Sequence, residues 1–134
     1  MQISFVVPGK PVPMARPRVT MHGTYTPKRC RDYKAAVAAA ARAAMRGKEP
    51  MTGAVSCYCY FVFEPPKSTP KGKIQDMIHA WYTIKPDTDN LLKSITDAVS
   101  GIVYIDDKQI AYICGEKRYG YPARVEVAIR EEES

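Results

Sequence analysis

The 134-residue chain has no apolar run approaching the ~18 residues a membrane helix needs, so no membrane span is expected. Its opening residues, MQISFVVPGKPVP, lack a basic start, an apolar signal core and a small-residue cleavage site. A cytoplasmic location is the expectation. Histidine is scarce, and His22 and His79 stand alone. Four cysteines, Cys30, Cys57, Cys59 and Cys114, form no C-x-x-C pair. The His and Cys cluster that zinc prefers is therefore missing. Cys57 and Cys59 alternate along a strand-like run and should share a face as reduced structural thiols. No internal repeat or composition shift marks a second domain. Acids are outnumbered, 14 against 20 lysines and arginines, for a formal net charge of +6. Such an excess suits a polyanion such as nucleic acid, and equally an ordinary soluble surface.

What is present fits one compact domain over residues 1–134. QISFVV alternates β-branched and aromatic residues and reads as a first strand. PGKPVPMARPR follows as a stiff extended loop carrying Lys10, Arg16 and Arg18. VTMHGTYT reads as a hairpin turning at His22-Gly23. Thr26-Pro27 reads as a helix cap followed by proline at the first helical position, with the helix ending near Arg46 before Gly47. Its basic residues, Arg31 and Lys34 among them, read as a solvated face. AVSCYCYFVF is apolar on both faces and should be a central strand. EPPKSTPKGKIQDMIHA reads as a mobile basic loop, and WYTI as a short strand. A second helix should span Thr88 to Ser100, ending at Gly101. QIAYICGEKRY and ARVEVAIRE, joined at Gly120-Tyr121-Pro122, read as an antiparallel hairpin, and the tail EEES as frayed. The sum is an α/β (α+β) fold: a sheet packed against two main helices.

KPDTDNLLKSITDAVSGIVYIDDKQI, residues 85–110, gathers negative charge in a basic chain. Neighbouring carboxylates repel, which raises their pKa values or calls for a cation. On a helix, Leu91, Leu92, Ile95, Ala98, Val99 and Ile102 fall on one side, and Asp89, Lys93 and Asp97 on the other. Asp87 stands where a cap belongs. Asp106 and Asp107 lie where the chain can fold back toward the helix start. One carboxylate suffices for a cap, and an acidic pair can simply make a turn. Three or four acids together suit Mg²⁺, which takes one or two carboxylates plus water and phosphate oxygens. The calcium-loop pattern fails, lacking its sixth-position glycine and twelfth-position glutamate. Magnesium within a basic chain points to phosphodiester chemistry, with Lys93 placed to steady a charged transition state.

This stretch resembles the signature of the RusA family of Holliday-junction resolvases: D-x-D-N-L-x-K, then D-[AG]-[LV], a short apolar run and D-D-x-Q-[IV]. GKPVPMARPRV and YTP are similar to one branch of that family. The resemblance implies a small α/β fold with a mixed sheet and a homodimeric Mg²⁺-dependent endonuclease, bacterial or phage-encoded, that resolves four-way DNA junctions by paired nicks. It assigns metal binding to Asp87, Asp89 and Asp107 and catalysis to Lys93 with them. Asn90, Asp97 and Asp106 become supporting residues. Lys85 stands where some members carry an arginine run, and the spacing from helix to D-D is one residue shorter than in that branch. Lys10, Arg16, Arg18, Lys67, Lys71 and Lys73 are then candidate DNA contacts. Two rivals are a metal-dependent glycosyltransferase, which also uses D-x-D, and a non-catalytic basic DNA-binding module.

Overall fold

The computed structural model describes residues 1–15 and 18–133, and of Arg18 the backbone only. In chain order the elements are β1 (Gln2–Pro8), β2 (Arg18–Thr20), β3 (Gly23–Tyr25), α1 (Lys28–Met45), β4 (Val55–Phe63), α2 (Lys71–Met77), α3 (Thr88–Val99), β5 (Ile110–Tyr119) and β6 (Arg124–Glu131). A 3₁₀ turn at Asp107–Gln109 precedes β5. The main sheet has the order β1-β6-β4-β5, and β2 and β3 form a separate ribbon. β4 pairs parallel to β5, while β6 runs antiparallel to both β1 and β4. This is a single α+β domain with a mixed sheet and three helices.

β4 is central because it is apolar on both faces. Val55, Cys57, Cys59, Phe61 and Phe63 are buried beneath the helices, with Val125, Val127 and Ile129 of β6 beside them. Tyr33, Val37, Ala41 and Met45 of α1 and Leu91, Ile95, Ala98 and Val99 of α3 close that core from one side. Each buried aliphatic or aromatic side chain contributes about 1.5–3 kcal/mol. The Cys57 and Cys59 thiols are free and buried, with their sulfurs 3.8 Å apart, as the alternation requires.

Several expectations change. β5 and β6 form no hairpin: β6 sits between β1 and β4, and the 120–123 connection crosses the end of β4, where the Gly120 N–H donates to the Phe63 carbonyl. Alternation and a turn define two strands running in opposite directions, but not which strands are neighbours. The basic loop contains α2, started after Pro70. WYTI contributes only an isolated bridge from Trp81 to Arg118. α1 begins one residue later than its sequence cue, with Pro27 at the cap position and no side-chain cap. The ribbon turns at Met21-His22, because Thr20 pairs with Gly23. The acidic tail is tied down: Glu131 accepts from the Thr52 and Gly53 N–H groups, and the Glu132 N–H donates to the Ala54 carbonyl.

Candidate active site

α3 is amphipathic, and burial of its apolar stripe fixes its rotation on the sheet. Gly115 of β5 permits the close approach, since a Cβ there would stand 2.8 Å from Leu92 Cδ2. Asp87 occupies the cap position, yet its side chain makes no capping hydrogen bond. Asp89 is exposed in the first turn. Both carboxylates stand at the helix end whose partial positive charge favours anions.

The loop leading to Asp87 is clamped from two sides. Lys117 of β5 donates its ammonium to the Ile84 carbonyl at 2.8 Å and to the Pro86 carbonyl at 2.7 Å. The Tyr82 hydroxyl donates to the Lys85 carbonyl. The proline-rich loop docks on the same helix, with the Met14 N–H donating to the Asn90 carbonyl at 3.0 Å.

Lys93 lines a cavity of about 490 Å³ between α1 and α3. Asn90 and Asp97 line it from α3, and Arg31 and Lys34 from α1. Lys34 also pairs with Asp97 at 2.9 Å, joining the two helices. Arg31 and Lys34 are exposed, as a solvated face of α1 predicts, and what that reading left out is that they share this cavity with Lys93. The signal was Arg31 and Lys34 at i, i+3 spacing, and it acquires meaning only once α3 is seen alongside.

The acidic pair divides its labour. Asp106 caps the 3₁₀ turn, accepting from the Lys108 N–H, while Gln109 Oε1 accepts from the Asp106 and Ile105 N–H groups. Gln109 Nε2 donates to the Met51 and Gly53 carbonyls, anchoring the turn to the body. Asp107 is thereby left exposed beside Tyr104, whose buried hydroxyl lies 3.2 Å from Asp107 Oδ1 and 2.9 Å from the Thr96 carbonyl. The fold-back thus reaches α3 at Thr96, beyond the helix start. Burial first, and the Asp107 carboxylate second, push the Tyr104 hydroxyl far above the usual tyrosine range.

Among the described residues, no three histidine, cysteine or acidic side chains lie close enough to hold a metal ion together. The donor set still fits a hard cation. The uncapped Asp87 and exposed Asp89 offer oxygen only, and magnesium completes its shell with water and phosphate oxygens. Of the candidate DNA contacts, Lys71 and Lys73 are exposed on α2, Lys67 is exposed ahead of it, and Lys10 sits at the rim of a second cavity. Arg16 and the Arg18 side chain lie outside the described residues.

Fold and site together define a small α+β protein with oxygen-donor acids on a helix start beside a basic cleft. The family model for endodeoxyribonuclease RusA matches residues 8–130. The chain is also 33% identical, over 96% of its length and 96% of the relative's, to the uncharacterized protein YqaN of Bacillus subtilis (strain 168). The chain belongs to the RusA endodeoxyribonuclease family, whose activity is cutting DNA. Among the described residues, no helix is long and apolar enough to cross a membrane.

Proposed function

We propose that this chain is a magnesium-dependent endonuclease that resolves four-way DNA junctions by paired symmetric nicks, acting as a homodimer. The observation that carries the reading is the pair Asp87 and Asp89 on the α3 start, one turn from Lys93 in a cleft walled by Arg31 and Lys34. Asp87 and Asp89 would hold the ion, and Asp107, which within one chain meets α3 at Thr96 and stands apart from them, would join as a ligand only across the dimer or once DNA is bound. When bound, magnesium supplies an activated water and neutralises charge on the phosphodiester. The chain's own residues do the positioning. Lys117 and Tyr82 hold the backbone before Asp87, so the carboxylates are set before DNA arrives. Lys93 presents a cation to the charge that develops on the phosphate. Arg31 and Lys34 draw the backbone into the cleft, with Lys10, Lys67, Lys71 and Lys73 extending the basic path.

The homodimer is supported by the sheet face opposite the helices. Tyr58 and Tyr112 are exposed there, with ring centroids 5.5 Å apart. Each arginine of that face is neutralised by a glutamate two residues away: Arg118–Glu116, Arg124–Glu126 and Arg130–Glu132, at 2.7–3.0 Å. In a chain of net charge +6 this face repels no second copy and offers little to phosphate. Two-fold pairing repeats one acidic site twice, as two symmetric cuts require.

The test is cleavage of a synthetic four-way junction, mapped on all four strands with and without Mg²⁺. Paired nicks that need the ion, and that vanish in Asp87→Asn, Asp89→Asn and Asp107→Asn while binding persists, are expected. Near-normal nicking by all three variants would sink the metal assignment. Binding without any nicking would favour a DNA-binding module.

A further inference from the structure

A second cavity, of about 580 Å³, opens where β4 and β5 end. Small-ligand sites span roughly 300–1,000 Å³. We propose that it receives one unstacked nucleobase from the branch point of the DNA, an inference that rests on the nuclease reading above.

Three aromatic rings wall the cavity. Phe63 and Tyr82 stack at 4.1 Å with planes 12° apart, and Tyr119 meets Tyr82 edge-on at 4.9 Å. Phe63 is buried beneath Tyr82, and the Lys117 ammonium lies 5.4 Å from the Tyr82 ring centroid, so the half-buried Tyr119 is the ring left to take a base, as aromatic side chains do in single-stranded binders. Ile84, more than half exposed, adds an apolar rim. The charges at the mouth set the direction of entry. Glu64 accepts one hydrogen bond from the Ala123 N–H, and its carboxylate repels phosphate while suiting an exocyclic amine. Lys10 is the cation on the rim and is placed for the phosphate of the same nucleotide. A nucleotide therefore enters base first.

The cavity is tied to the acidic site through the chain segment that leads to Asp87. Tyr82 and Ile84 line it, and both belong to the segment that Lys117 and the Tyr82 hydroxyl clamp ahead of Asp87. A seated base would fix the neighbouring backbone beside the D-x-D carboxylates. A continuous duplex keeps its bases stacked and must break a pair to fill the cavity, whereas a branch point gives up a base at lower cost. The cavity thereby makes branched DNA the preferred substrate.

The test measures binding without divalent metal to a series of four-way junctions, each with one branch-point nucleotide made abasic. One position should weaken binding by roughly 5- to 150-fold, the range for losing one base–aromatic stack. In Tyr119→Leu the intact junction should bind as weakly as the abasic one, and removing the base should cost nothing more. Ile84→Ala, on the exposed rim, should shrink the same penalty without touching the core. Lys10→Ala should leave the base penalty intact and lower the salt slope by about one. A flat abasic series, or a penalty unchanged in both Tyr119→Leu and Ile84→Ala, overturns the cavity's role even if the intact junction is nicked with Mg²⁺. Absence of both binding and nicking of any branched DNA overturns the nuclease reading and this inference together.

Discussion

Tyr104 shows how a single residue joins core to site. Its ring is buried in the core and its hydroxyl lies between the Thr96 carbonyl and Asp107. Tyr104→Phe removes that link and should cost about 0.5–1.5 kcal/mol in urea unfolding, the net worth of one hydrogen bond. The pH dependence has a definite sign. Burial and the Asp107 carboxylate raise the hydroxyl's folded pKa, so folding favours the neutral phenol. That stabilisation is complete below the unfolded value of about 10 and is lost as pH rises from there toward the folded value. Tyr104→Phe should therefore flatten part of the alkaline fall in stability. Tyr33 and Tyr82, whose pKa values burial also raises, and the Cys59 thiol, raised by its hydrogen bond with Cys57 and by burial, contribute to the remainder. An identical alkaline profile for the variant would refute this account. The acidic pair carries the same lesson. D-D-x-Q is readable in sequence as an acidic motif, but the reciprocal bonds of Asp106 and Gln109 appear only in three dimensions.

At the scale of elements, β5 supports the site from an edge position. Gly115 lets α3 sit close, and Lys117 holds the Ile84 and Pro86 carbonyls. Lys117→Met should slow nicking by ~10- to 100-fold through misplacement of the carboxylates. Junction affinity should stay near that of the unaltered chain, because this ammonium is already bonded inside the protein. Lys117→Arg should restore part of the rate. A loss of affinity with an unchanged turnover rate would instead make Lys117 a DNA contact. Nothing in the local pattern around Lys117 marks this role: it is one more basic residue on an alternating strand, and its carbonyl partners lie about thirty residues earlier in the chain.

The whole molecule has two unlike faces. One carries the helices, the cleft with Lys93 and the cations of α1. The other is an open sheet face with Tyr58 and Tyr112 exposed and its arginines paired to glutamates. Parallel strand pairs such as β4–β5 are ordinarily covered on both sides, and here only one side is. The double variant Tyr58→Arg/Tyr112→Arg should sediment as a monomer at concentrations where the unaltered chain is a dimer. It should also accumulate singly nicked junctions. A monomeric unaltered chain that still cuts both strands, or a double variant that remains dimeric, would move the interface elsewhere.

The main strands and helices other than α2, the central place of β4, the buried stripe of α3 and the acidic motif were legible from residues 85–110 and from apolar periodicity alone. Those features are local: a helix stripe or a strand alternation depends on neighbours a few residues away. Strand order was decided elsewhere. β6 lies between β1 and β4 because both its edges are hydrogen-bonded and its apolar face is buried there, and a turn motif after β5 carries no information about that choice. The same holds for the meeting of Arg31 and Lys34 with Lys93, and for the clamp of Lys117 on the loop before Asp87. Each joins residues far apart in the chain, so each arises only when the shared core closes and brings their elements together.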